Sequence, residues 1–117
     1  MHVQGLHHVS INVSDVDAAL AFYTGILGLS ERADRPDFGF GGAWLDAGDQ
    51  QVHLLDAGPP QNLGQHLALQ VADIDAAVAE VRGLGVDVTD PSPVGAGRQA
   101  FLVDPSGNAV ELFEGPG

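Results

Sequence analysis

A single carboxylate interrupts an apolar strand near the end of the chain. Glu111 lies in the run AVELFE, and an Asp-Pro-Ser-Gly-Asn turn at 104–108 precedes it. Alternation along a strand puts Val110 and Leu112 on one face and Glu111 on the other. A carboxylate among apolar neighbours is costly to bury unless it is paired or bound to a metal. A solvated strand face is the ordinary alternative for a lone glutamate.

Three histidines occupy positions comparable to that of Glu111. The segments that begin at His8 and His66 read alike at an offset of 58 residues, and the same offset relates His53 to Glu111. A lone histidine is more often structural than a ligand, but a shared offset on one strand face is hard to obtain by chance. Three imidazoles and one carboxylate suit Zn²⁺, Ni²⁺, Co²⁺, Mn²⁺ or Fe²⁺ better than Ca²⁺ or Mg²⁺. We therefore predict that these four residues bind one divalent metal ion.

The remaining two histidines are not expected to bind metal. His2 stands beside the first residue, and His7 shares a strand face with the apolar Val9.

The repeat also predicts the elements that position these residues. Each copy opens with an alternating strand and continues into a helix whose apolar residues recur at helical spacing, over 16–27 and 74–84. Ser14, with an aspartate three residues later, resembles a capping box, and Asp73 is the expected N-cap of the second helix. A glycine follows each helix as a stop signal. Both helices therefore have marked ends.

Three short strands are expected after each helix. They are placed at 29–34, 40–46 and 50–56 in the first copy, and at 86–89, 98–104 and 108–114 in the second. The predicted fold class is α+β, with two tandem βαβββ modules. The expected boundaries within one domain, 1–117, are module one at 1–57, a joiner at 58–63 and module two at 64–115.

Composition excludes several kinds of partner. The chain has 117 residues, enough for one compact domain, and it contains no cysteine for disulfide or thiolate chemistry. Sixteen acidic residues against four arginines give a net charge of -12, which repels nucleic acid and anionic membranes. With no long apolar run and no basic leader, a soluble cytoplasmic protein with a small-molecule substrate is expected.

Three stretches carry a family resemblance: GLHHVSINVSDVDAALAFYTGILGL, QHLALQVADIDAAVAEVRGLGV and FLVDPSGNAVELFE. They resemble the vicinal oxygen chelate superfamily, which contains glyoxalases, epimerases, extradiol dioxygenases, fosfomycin-resistance thiol transferases and bleomycin-binding proteins. The resemblance covers both modules. It implies a glyoxalase-like fold with a cupped mixed sheet around a divalent metal, commonly in a homodimer. The metal ligands it implies are His8, His53, His66 and Glu111.

One of these positions departs from the family pattern. Lactoylglutathione lyases of this family carry glutamate in the place of His53, and epimerases carry glutamine. A neutral imidazole in place of a carboxylate leaves a bound ion more positive, and it removes one candidate base. If the reaction moves a proton α to a carbonyl, either Glu111 or His53 must accept that proton. Both are therefore predicted catalytic residues.

The resemblance favours a lyase or isomerase of the glyoxalase or epimerase kind, acting on a small carbonyl or enolisable substrate chelated through neighbouring oxygens. An extradiol-type dioxygenase is an alternative, because His8, His66 and Glu111 form the two-histidine, one-carboxylate set that suits Fe²⁺. Such enzymes usually carry four modules, however. A bleomycin-type binding protein is a third possibility, although a plain groove has no use for four ligand-type residues.

Four polar residues are candidate substrate contacts because they are expected to point into the cup: Ser10, Asn12, Gln51 and Gln70. Arg98 is a fifth candidate because of its position before the next strand. Of the four arginines, Arg98 alone precedes a strand expected to reach the cup, so a clustered phosphonate pocket is disfavoured. The loops at 35–42 and 90–98 would shape the pocket, but they carry no motif that names a substrate.

Overall fold

The computed structural model describes residues 1–117, in two compact units, Met1–Pro60 and Gln61–Gly117. The first unit contains β1 His8–Val13, α1 Val16–Ala21, a π-helical turn Phe22–Ile26, β2 Ser30–Glu31, β3 Gly42–Ala47 and β4 Gln50–Asp56. The second contains β5 His66–Gln70, α2 Ile74–Gly83, β6 Ser92–Val94, β7 Gly97–Val103 and β8 Ala109–Glu114. The predicted α+β fold of two βαβββ modules is confirmed.

Each unit carries one four-stranded mixed sheet. The strand order is β1-β4-β3-β2 in the first unit and β5-β8-β7-β6 in the second. The first strand of each unit pairs in parallel with the last, while the other pairs are antiparallel. His8 lies opposite Gln51 and His66 lies opposite Ala109, so the register also repeats at an offset of 58 residues.

The core of each unit lies between one sheet face and the helix. The buried sheet residues of the first unit are Val13, Ala43, Leu45, Val52 and Leu54, and those of the second include Ala100, Leu102, Val110 and Leu112. Full burial of a valine or leucine side chain contributes about 1.5–3 kcal/mol, so these positions hold the sheets and helices together. Strand alternation leaves the candidate ligands on the opposite face of each sheet.

The helix caps follow the sequence with one correction. The N-cap of α1 is Asp15 and not Ser14, because the Asp15 carboxylate accepts a hydrogen bond from the Ala18 amide at 3.0 Å. Asp73 caps α2 in the same way, through the Ala76 amide, as predicted. The first amides of a helix have no acceptor within the helix, and a short aspartate side chain reaches the amide three residues further along. The aspartate directly before the first turn is therefore the N-cap.

The strand predicted at 86–89 is wrong. That segment is irregular, and the edge strand of the second unit is the three-residue β6, which forms a tight hairpin with β7. Thr89 makes two hydrogen bonds with the backbone of Phe101: its amide donates to the Phe101 carbonyl, and its hydroxyl oxygen accepts from the Phe101 amide. These bonds hold the segment beside the sheet without forming a strand. Pro93 is tolerated in β6 because an edge strand leaves one side unpaired.

No helix of this structure is both long enough and apolar enough to cross a membrane.

Candidate functional site

The second unit joins two of the predicted ligands directly. Nε2 of His66 lies 3.0 Å from Oε1 of Glu111, across the parallel pair β5 and β8. Nδ1 of His66 lies 2.9 Å from the carbonyl oxygen of Gly64, to which it must donate. The Glu111 side chain is only 12 % exposed. The carboxylate that interrupts the apolar strand is therefore paired, as the cost of burying it requires.

This pair favours a cation between its two atoms. Nδ1–H is fixed by the carbonyl of Gly64, so a neutral His66 would direct an Nε2 lone pair at the Glu111 carboxylate. The hydrogen bond to Gly64 and the nearby carboxylate raise the pKa of His66 above its ordinary value of 6.5. A proton lies between Nε2 and Oε1 in the charged form. A metal ion binds nitrogen and oxygen at about 2.0–2.2 Å, so it could replace the proton only beside the line that joins these two atoms, after the carboxylate shifts. Ligating histidines commonly donate their other nitrogen to a carbonyl in this way.

The first unit places its two predicted ligands in a row of rings. The ring centroids of His8 and His53 lie 4.0 Å apart with planes 13° from parallel. On the other side of His53, the Trp44 ring lies 4.5 Å away at 12°. His53 is only 6 % exposed as a result. Nε2 of His53 also lies 2.8 Å from Oε1 of Gln51.

The environment of His53 keeps its ring neutral. Burial lowers the pKa of His53, and the charges of His8, His7, Arg32 and Arg35 add to that effect. A neutral imidazole is the form that binds a metal. However, nitrogen lone pairs lie in the ring plane, so two nearly parallel rings do not converge on one ion. One of the two rings must turn before His8 and His53 can share a metal.

The predicted ligands thus fall into two pairs, one in each unit. Within either unit, no group of three or more His, Cys, Asp or Glu side chains is placed to hold a metal ion. The His66 and Glu111 pair sets an imidazole beside a carboxylate and needs only a shift of the carboxylate to hold a metal, whereas the His8 and His53 pair requires a ring rotation. The non-ligand His7 contacts His8, with their Nδ1 atoms 2.8 Å apart.

Most predicted substrate contacts lie on the expected sheet face. Register pairing puts Ser10, Asn12 and Gln51 on the same face as His53, and Gln70 on the same face as Glu111. Asn12 donates to the carbonyl of Gly58 at 3.4 Å, and Gln51 holds the ring of His53. These contacts position the face, and substrate binding by these residues stays a prediction.

Arg98 is placed differently from the prediction. In β7 it alternates with Gln99 and Phe101, which share the face of Glu111, and so it projects toward the helix side. There Nη1 and Nη2 donate to the two carboxylate oxygens of Asp75, at 2.8 and 3.1 Å. The guanidinium therefore stabilises the first turn of α2, on the sheet face opposite that of Glu111.

Sequence reasoning overlooked Trp44 and Arg35. Trp44 alternates with the buried Ala43 and Leu45, and this parity alone puts it on the face of His53. With Arg35 it lines a cavity of about 440 Å³. The position of Arg35 depends on the path of the loop that precedes β3, for which no sequence motif is known.

A model of the Glyoxalase/Bleomycin resistance protein/Dioxygenase superfamily matches residues 5–112. Together with the paired modules, this match shows that the chain belongs to that superfamily, which confirms the resemblance noted from its motifs.

Two curated relatives are enzymes by name. The chain is 29% identical over 126 residues to a lactoylglutathione lyase of Salmonella typhimurium, covering 93% of this chain and 91% of the relative. It is 30% identical over 146 residues to a 2-epi-5-epi-valiolone epimerase of an Actinomyces species, covering 95% and 79%.

A solved structure of a different kind is also similar. The antibiotic binding protein TnmS3 from Streptomyces sp. CB03234 superimposes with a TM-score of 0.85 at 30% identity, over 98% of both chains. The superfamily is therefore established, while its members named here include both enzymes and a binding protein.

Proposed function

We propose that this protein is a divalent-metal-dependent lyase or isomerase that acts on a small carbonyl or enolisable substrate, chelated through neighbouring oxygens. The observation that carries this proposal is the contact of 3.0 Å between Nε2 of His66 and Oε1 of Glu111. A buried carboxylate paired with an oriented imidazole is suited to metal binding and to proton transfer. The similarity to a lyase and an epimerase supports the same reaction class.

Each of the four residues has a role in this proposal. His8, His53, His66 and Glu111 hold the metal, which when bound would polarise the substrate carbonyl and increase the acidity of the neighbouring C–H. Glu111 accepts the proton once its carboxylate is released from the metal, because the carboxylate is then a base shielded from water. His66 keeps Glu111 oriented. His53 is the second residue able to accept a proton, but burial lowers its pKa and so makes it the weaker base of the two candidates.

The proposal predicts that His66→Ala and Glu111→Ala each abolish tight metal binding and leave the fold intact. The reason is that both side chains lie on the sheet face opposite the core, so their removal deletes ligands without opening a cavity. Metal titration of purified, metal-free protein measures the affinity, and circular dichroism checks the fold.

The matched control for this experiment is His2→Ala, which removes an exposed histidine that is not a predicted ligand. This variant should bind metal as the wild type does. Undiminished stoichiometry in either the His66 or the Glu111 variant would remove that residue from the site.

A second candidate function is non-catalytic binding of a small aromatic molecule. It is favoured by the row of rings formed by His8, His53 and Trp44, beside which Phe38 and Phe40 are half exposed. Planar rings bind to such surfaces by stacking. The similarity to TnmS3 is consistent with this function. Metal content separates the two candidates, because a stacking site needs no metal, whereas the proposed lyase or isomerase does.

A further inference from the structure

One arginine of this acidic protein has no carboxylate partner. Arg32, Arg82 and Arg98 each form an ion pair with an aspartate, and Arg35 forms none. Nη2 of Arg35 donates to the carbonyl oxygen of Phe40 at 3.0 Å, but its Nε–H is buried and has no acceptor in the chain. Buried donors without a partner are uncommon in proteins. The fold therefore leaves the charge of this guanidinium without a carboxylate partner.

The Arg35 side chain is held in place by its neighbours. Its guanidinium carbon lies 5.1 Å from the ring centroid of Phe38 and 5.6 Å from that of Phe40. It also packs on Gly42, where an added Cβ would lie only 3.0 Å from Nη2 and 3.2 Å from Nε. These contacts restrict the side chain, so little rotamer entropy remains to be lost when a ligand binds.

Arg35 lines a cavity that is large enough for a small molecule. The cavity measures about 440 Å³, and it is lined by Glu31, Arg32, Ala33, Arg35, Gly42, Ala43 and Trp44. This volume is typical of ligand pockets. Arg32 is already bonded to Asp34 and Asp46, at 2.7–2.9 Å. Arg35 thus supplies the cation that the protein leaves unneutralised, and Trp44 supplies an aromatic wall.

We propose that this cavity binds a singly charged carboxylate carried on an aromatic or apolar body, with Arg35 as the anchor of the carboxylate and Trp44 as the contact of the apolar part. A guanidinium presents parallel N–H donors that match the two oxygens of a carboxylate. Glu31 in the lining disfavours a second negative charge, which selects against phosphate. The site adjoins the predicted ligand His53, whose ring stacks on Trp44, but binding of the carboxylate at Arg35 needs no metal and is tested on metal-free protein.

The test uses metal-free, full-length protein and 3-phenylpropionate as the probe. Trp44 is the single tryptophan of the chain, so its fluorescence reports binding directly. We expect saturable binding of 3-phenylpropionate, and binding at least about tenfold weaker for neutral 3-phenylpropionamide, since one charge-assisted bond contributes about that factor. Inorganic phosphate at equal concentration should not displace the probe.

Arg35→Gln should weaken binding of 3-phenylpropionate by the same factor of about ten and leave the weak binding of the amide unchanged. Arg35→Lys keeps the positive charge but loses the paired N–H donors of the guanidinium. Its affinity for 3-phenylpropionate should lie between that of the wild type and that of the glutamine variant. Arg98→Gln is the matched control, because it removes an arginine from the second unit, and it should bind as the wild type does.

Three results would overturn the proposal: equal binding of the acid and the amide, equal binding by the wild type and Arg35→Gln, or displacement of the probe by phosphate. If Arg35→Gln does not fold, the comparison of acid with amide on the wild type and on Arg35→Lys still decides. Equal preference for the acid in those two proteins would contradict a role for the guanidinium fork.

Discussion

The two histidine environments differ in which form of imidazole they favour. The Gly64 carbonyl and the Glu111 carboxylate stabilise a charged His66, while burial between two rings stabilises a neutral His53. In the metal-free protein, the raised pKa of His66 means that the stability gained from its charged form is fully present below about pH 6.5 and is lost as pH rises through the raised pKa. A metal ion bound by Nε2 of His66 would displace that proton, so metal affinity would follow the opposite trend.

This opposition gives a prediction for pH dependence. The metal-free wild type should be more stable than Glu111→Gln at about pH 5.5, and the difference should shrink as the pH rises toward about 9, because neutral His66 gains nothing from the carboxylate. Thermal unfolding of both proteins across this range measures the difference. Metal affinity of the wild type should meanwhile increase with pH. A difference in stability that stays constant across the range would contradict the charged pair.

His53 is the ligand position that differs from the lyase pattern, and His53→Glu tests it. A carboxylate ligand makes a bound ion less positive than an imidazole does. If His53 binds the metal, the Co²⁺-loaded variant should keep its metal and shift the midpoint of its visible pH titration to higher pH. Superimposable titration curves would show that His53 lies outside the ligand set. The fluorescence of Trp44, which stacks on His53, reports separately whether the ring row is lost.

At the scale of elements, repeat-related residues do not always share a role. Asp104 is 4% exposed, and its carboxylate accepts hydrogen bonds from the Ser106 amide and from the amide and side chain of Asn108, at 2.8–2.9 Å. Asp46 is its counterpart 58 residues earlier. It lies on the same sheet face as His53 and forms an ion pair with Arg32. The first is part of the turn that leads into β8, and the second is a surface ion pair.

This difference predicts unequal costs of substitution. Asp104→Ala leaves three part-buried donors without their acceptor and should lower the free energy of unfolding by about 1–3 kcal/mol. Asp46→Ala breaks a partly exposed ion pair and should cost less than about 1 kcal/mol. Denaturant unfolding of the two variants measures both values. Equal losses would show that the turn at Asp104 does not stabilise β8 as described.

Elements with a periodic apolar pattern could be predicted from the sequence. Features for which two neighbouring residues or segments were equally suitable could not. The helices, the long strands and the Asp73 cap follow directly from apolar spacing and turn residues. The cap at Asp15 was missed because Ser14 offers a similar oxygen one residue earlier. The strand at 86–89 was wrong because Thr89 is held to Phe101 by two hydrogen bonds that do not continue into a ladder, and a sequence pattern does not show which segment reaches the edge of the sheet.

The positions of the candidate site residues could likewise be predicted in part from the sequence. Parity within strands was sufficient to place His66 beside Glu111 and His8 beside His53, because register follows from the repeat. Arg98 lies on the other face because it shares the parity of Ala100 and Leu102, which are buried against the helix. The contacts of Arg35 depend on the irregular loop between β2 and β3, and no periodic signal describes such a loop.

For the whole molecule, membership of the superfamily sets the fold but not the function, since relatives with this architecture include enzymes and a binding protein. The strongly negative charge of -12 attracts cations and repels anions at long range. A metal ion is therefore steered toward the molecule, while an anionic ligand needs a local cation such as Arg35. Function must be decided at the two paired sets of ligands.

The most direct test of the central claim is the metal content of the protein, purified without a histidine tag and without added chelator, measured by mass spectrometry. The account predicts about one divalent transition-metal ion for each complete set of four ligands, and loss of that ion in Glu111→Ala. Zinc, nickel or cobalt would support a lyase or isomerase, and iron would favour oxygenase chemistry. Protein that contains no metal, and takes up none when it is supplied, would contradict the account.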